Sequence, residues 1–115
     1  MLFMVIERFH DNDMVPIYQR LRESGRSLPD GLEYVDSWIE PNFARCFQLM
    51  RCDDPRLFQE WVLQWRGFGV TFEIVPVVPS KETQTVVARH LDPSGDNIPK
   101  WVLNGSRSYS QSANG

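Results

Sequence analysis

Two carboxylates in this 115-residue chain interrupt strongly apolar stretches. Glu7 lies within Leu2–Phe9 (LFMVIERF), and Glu73 within the run from Val70 to Val78 (VTFEIVPVV). In an extended chain alternate residues share a side, so Glu7 groups with Phe3, Val5 and Phe9, and Glu73 with Thr71, Val75 and Val77. If the two segments are neighbours in a sheet, the carboxylates can approach on one face. Were that face the dry interior of a dimer, desolvation and like charge would both raise a carboxyl pKa and make a general acid or base near neutral pH. The plainer reading is that each glutamate pairs with an arginine across the sheet and fixes register. Cys46 and Gln48 alternate onto one side of a third segment and are candidate ligand contacts. Tyr34 and Trp38 are further candidates, on a segment whose facing the pattern leaves open. Arg22 and Arg26, four apart, could grip a carboxylate or phosphate. Pairing with Glu23 or Asp30 on a solvated helix face is the plainer alternative. His10, near a strand end, could help Arg26 hold an anion or relay a proton.

Other chemistries find little support. Cys46 and Cys52 are six apart on one extended segment, roughly 20 Å, too far to share a metal or a disulfide. His10, Asp11 and Asp13 match no established ligand spacing and read as a turn. No G-x-S-x-G elbow or glycine-rich phosphate loop occurs, and Gly67-Phe68-Gly69 reads as a helix stop. No metal and no cofactor are expected. A net charge of −3 argues against nucleic acid, although Phe43 and Phe47 are the aromatics an RNA-binding sheet would need. Trp61 and Trp65 read as core packing.

The elements that must position these residues alternate cleanly. The periodicity predicts strands over Leu2–Phe9, Leu32–Ile39, Phe43–Arg51 and Val70–Val78. Met14, Ile17, Tyr18 and Leu21 form the stripe of a first helix, with Asp13 as its cap, Pro16 in its first turn and Gly25 as its stop. Asp54-Pro55 opens a second helix with Phe58, Trp61, Val62 and Trp65 inward. Ser80–Leu91 is a third and weaker helical segment, with Val86, Val87 and Leu91 inward. The order β-α-β-β-α-β is the ferredoxin-like arrangement, an α+β fold with an antiparallel sheet ordered 4-1-3-2 and both crossover helices on one face. Strands 1 and 4 are apolar on both sides, so a sheet-sized apolar patch should remain. A homodimer closing a barrel face to face is therefore expected, and the cavity between its two sheets is the expected ligand site.

Residues 1–91 read as the folded domain. Residues 92–115 hold five Ser, three Gly, three Asn and two Pro and read as a polar, mostly disordered tail. Within it, Ile98-Pro99-Lys100-Trp101-Val102-Leu103 is an apolar island. That island gives the alternative function, a non-catalytic dimeric interaction module docking through Trp101. Two cysteines make no disulfide framework, so a reducing cytoplasm is the expected compartment. The apolar run Met1–Ile6 is too short for a signal-peptide core or a membrane span.

The stretches YQRLRESGRSLPDGLEYVDSWIE, RCFQLMRCDDPRLFQEWVLQW and FEIVPVV resemble a group of short bacterial proteins known only as a domain of unknown function. That group is assigned to the dimeric α+β barrel superfamily. The resemblance spans about residues 1 to 85 and implies the same fold and dimer. It implies no activity. No active-site pattern of the wider superfamily's monooxygenases, haem-degrading enzymes or lactone isomerases maps onto these residues.

Overall fold

The structure is a computed structural model and describes residues 1–91. The polar tail and the Trp101 island lie outside the described residues. Two compact units are distinguished, the first spanning Met1–Val77 and the second beginning at Val78.

The first unit is an open, four-stranded antiparallel sheet with two helices. Its strands are β1 (Leu2–Phe9), β2 (Glu33–Ile39), β3 (Arg45–Arg51) and β4 (Val70–Val77). Helix α1 (Val15–Ser24) follows β1, and α2 (Arg56–Gln64) follows β3. The spatial order is β2-β3-β1-β4, which is 4-1-3-2 taken from the other edge.

Local chemistry explains the boundaries. The Val15 N–H donates to Asp13 Oδ1 at 3.0 Å, so Asp13 satisfies a first-turn donor from just outside α1. Asp54 does the same for α2, accepting from the Arg56 N–H at 3.0 Å. Gly25 ends α1 at φ 66, and its N–H bonds back to the Leu21 carbonyl. Between β2 and β3, the Phe43 N–H donates to the Glu40 carbonyl, and Arg45 grips the Glu40 carboxylate through two nitrogens at 2.7 and 2.9 Å.

Cross-strand partners share a face, so the register fixes what each side carries. Phe3, Val5, Glu7 and Phe9 pair with Met50, Gln48 and Cys46 on β3, and with Ile74, Phe72 and Val70 on β4. Helices α1 and α2 cover this face, packing Ile17, Phe58, Trp61 and Trp65 into one core with Phe3, Val5, Phe9 and Met50. The opposite face carries Leu2, Met4, Ile6, Phe47, Leu49, Val75 and Val77, with the Arg8–Glu73 pair near one end.

One irregularity matters for the site. Between Tyr34 and Asp36 the β2–β3 register slips, and Val35 is the extra residue of a bulge. Tyr34 and Ser37, three apart, therefore face the helices together, and the Tyr34 and Ser37 hydroxyls hydrogen-bond at 2.6 Å. Trp38 pairs with Phe47 on the opposite face and is exposed.

In the second unit, helix α3 (Ser80–Leu91) buries no residue. Val86, Val87 and Leu91, expected to point inward, are exposed. The β-branched content of that helix carries no burial with it. Among the described residues, no helix is long and apolar enough to cross a membrane.

Candidate functional site

Glu7 and Glu73 do not meet. Glu73 is opposite Ile6 in the register and Glu7 opposite Phe72, so the two carboxylates project from opposite faces of the sheet. Both strands alternate as expected; the pairing sets their phases one residue apart. Glu73 accepts from Arg8 Nη1 at 3.0 Å on a half-exposed surface, which is the register-fixing role. Glu7 has no such partner among the described residues. It lies on the helix-covered face, not on an open face that a second sheet could cover, and it is 6% exposed.

The helix-covered face and the two helices enclose a pocket of about 110 Å³. Its deep wall is formed by Glu7, Phe9, Cys46 and Gln48 from the sheet and by Trp61 and Trp65 from α2 and its end. Tyr18, Arg26, Ser37 and Ile39 are less buried and form the outer wall. Gln48 Nε2 donates to Glu7 Oε1. Burial pushes the Glu7 carboxyl up to about 7, opposed by the Gln48 hydrogen bond and then by the charge of Arg26. A carboxyl near 7 is populated in both protonation states at neutral pH, as acid–base catalysis requires. The Cys46 thiol is pushed up to about 12, first by burial and then by Glu7, and so is held as the thiol. Burial also raises the Tyr18 hydroxyl, with Cys46 and Glu7 adding to it.

Arg26 reaches the pocket by a different route from the one its spacing suggests. Helix α1 has ended at Ser24, so Arg22 and Arg26 do not share a helix face. Arg26 follows the Gly25 stop, and its guanidinium stacks 3.7 Å above the Tyr34 ring. Its carbonyl accepts the Trp61 indole N–H at 3.0 Å, which ties the segment to α2. Arg22 is exposed and outside the pocket lining. His10 is exposed in a short 3-10 turn (His10–Asn12) after β1, also away from the lining. Tyr34 touches the site through Ser37 and Arg26. Trp38 is on the wrong side of the sheet.

Of the expected set, the fold gathers Glu7, Cys46, Gln48 and Arg26, with Tyr34 behind them. It separates Glu73, Trp38, Arg22 and His10. Sequence reasoning missed Ser37, which only the bulge brings inward, and assigned Tyr18 and Trp65 wholly to packing. A wider groove of about 740 Å³ runs along α2 and β4, lined mainly by Phe3, Phe58, Val62, Leu63 and Ile74. Among the described residues its lining holds no carboxylate, histidine or cysteine. Among the described residues no group of three or more His, Cys, Asp or Glu could hold a metal ion, and both cysteines are free.

Residues 1–91 match the family described as Domain of unknown function (DUF3303). The chain belongs to that family. No curated protein and no solved structure matches it.

Proposed function

We propose that this DUF3303 chain binds a small organic molecule in the pocket between its sheet and helices, with Glu7 as the general acid or base. The observation that carries this reading is Glu7 itself: a buried carboxyl with no ion-pair partner among the described residues, hydrogen-bonded to an amide at the wall of a cavity. A purely structural carboxylate at this depth normally has a cation or several donors, because burying its charge is costly. The site lies within one chain, which replaces the expected position between two sheets.

The ferredoxin-like assignment rests on the element order and on both helices covering one face. A homodimer is part of the same proposal. Leu2, Met4, Ile6, Phe47, Val75 and Val77 form a half-buried apolar field on the face away from α1 and α2, edged by the Arg8–Glu73 and Arg51–Glu33 pairs. A second copy of that face offers matching apolar area, with self-complementary charge at the rim. A reducing compartment such as the cytoplasm suits the two free thiols.

The test is a carboxyl NMR titration of the full chain, alone and with pyrazole, phenol or acetoacetamide. Glu7 should titrate near 7, and at least one probe should shift the Glu7, Gln48 and Cys46 side-chain signals together. A Glu7 midpoint near 4.5, with no probe disturbing these signals, would overturn the reading.

A further inference from the structure

The pocket is chemically asymmetric, and its two ends ask for different groups. At the outer end, Arg26 makes no salt bridge with any carboxylate among the described residues. Its guanidinium rests on the Tyr34 ring, leaving its edge donors free for a planar anion. Gln48 Oε1 and Trp65 Nε1, on two residues of the pocket lining, are sealed from solvent and have no hydrogen-bond partner among the described residues. Those two residues are 6% and 3% exposed. Buried polar atoms without partners are uncommon, and two backing one cavity point to an occupant. One is an acceptor and the other a donor. Among small groups, a hydroxyl supplies both complements, one O–H and two lone pairs. Glu7 lines the same space, and its other oxygen makes no hydrogen bond among the described residues.

Resting on the reading above, we infer that the ligand is a small hydroxycarboxylate, with its carboxylate on Arg26 and its hydroxyl at the deep wall among Glu7, Gln48 and Trp65. The hydroxyl can donate to the Gln48 amide oxygen and accept from the Trp65 indole N–H. The volume sets the size: a cavity of about 150 Å³ holds benzene, so about 110 Å³ takes about four or five non-hydrogen atoms, with the carboxylate reaching Arg26 at the less buried rim. The hydroxyl contacts the carboxyl that would move its proton, so the binding mode and the proposed acid–base role use the same atoms.

Lactate, lactamide and propionate separate the requirements, because lactamide lacks the charge and propionate lacks the hydroxyl. On the full chain, ¹⁵N and ¹³C spectra should show lactate shifting the Trp65 indole and the Glu7 carboxyl. Lactate should bind about tenfold more tightly than either analogue, the scale of one charged hydrogen bond. Arg26→Gln should abolish the preference for lactate over lactamide. Equal binding of all three probes would overturn the ligand class and leave the small-molecule reading standing. No shift of Trp65, Gln48 or Glu7 by these probes, nor by pyrazole, phenol or acetoacetamide, would mean a pocket filled by water alone and would overturn both.

Discussion

Glu7 makes folding itself respond to pH. Its carboxyl is raised from 4.5 to about 7 in the folded chain, so the folded state binds the proton more tightly than the unfolded state. The stabilisation from the protonated form is present in full below about 4.5 and is lost as pH rises through about 7. The shift corresponds to about 3 kcal/mol across that window. The groups facing Glu7 are Cys46 on β3, Tyr18 on α1 and Arg26 after α1; α2 adds only the neutral Trp61 and Trp65. Urea unfolding between pH 4 and 8 should therefore show stability falling toward the alkaline end. In Glu7→Gln that slope should flatten, and the variant should be the more stable protein at pH 8. At the same scale, Cys46 should resist alkylation at pH 8 in the native state and react rapidly in denaturant. Fast native labelling of Cys46 would contradict its environment.

At the scale of elements, the bulge at Val35 decides which aromatic serves the site. It shifts β2 by one residue, so Tyr34 and Ser37 face inward while Trp38 faces away. Deleting Val35 removes the extra residue and leaves an unbroken register, with Tyr34 still opposite Met50 and Asp36 still opposite Leu49; every later β2 residue keeps its face, and the cost should be about 1 kcal/mol, from the lost local twist. Val35→Ala keeps the residue count and should stay within about 0.5–1 kcal/mol of the parent; urea midpoints compare the two. The same strand shows where sequence reading ends. Strand β1 is legible residue for residue from its alternation, and the polar residues Asp13 and Asp54 mark both helix starts. The open facing of Tyr34 and Trp38 reflects an extra residue that alternation cannot register. Whether Glu7 and Glu73 share a face depends on the pairing of two strands far apart in sequence, and neither strand's own pattern contains it. Arg26 lost its helical partnership with Arg22 because Gly25 stops the helix one residue earlier, a signal that was present and outweighs spacing. Trp65 reads as core from its period, and it is core; only the structure shows that its N–H lacks a partner among the described residues.

At the scale of the molecule, the apolar field opposite α1 and α2 predicts association. Met4 is central to it, paired with Leu49 on one side and Val75 on the other. Light scattering at micromolar concentration should give the mass of two chains. Met4→Lys should give the mass of one, with an unchanged far-ultraviolet circular dichroism spectrum. A parent that scatters as a single chain would remove the dimer from the proposal and leave the pocket, which one chain builds alone.

The two outermost strands carry a further consequence. Strand β4 places Pro76 opposite Phe3, and β2 carries the Val35 bulge followed by Asp36. A proline has no amide hydrogen to offer a neighbouring backbone, and a bulge twists its strand out of the flat geometry that templated pairing needs. Each border of the sheet is thus blunted by a different device, and copies are steered away from joining into runaway ribbons. Pro76→Val restores the missing donor on one border. It should show itself as thioflavin-positive fibres or rising turbidity on prolonged incubation, under conditions where the parent stays clear.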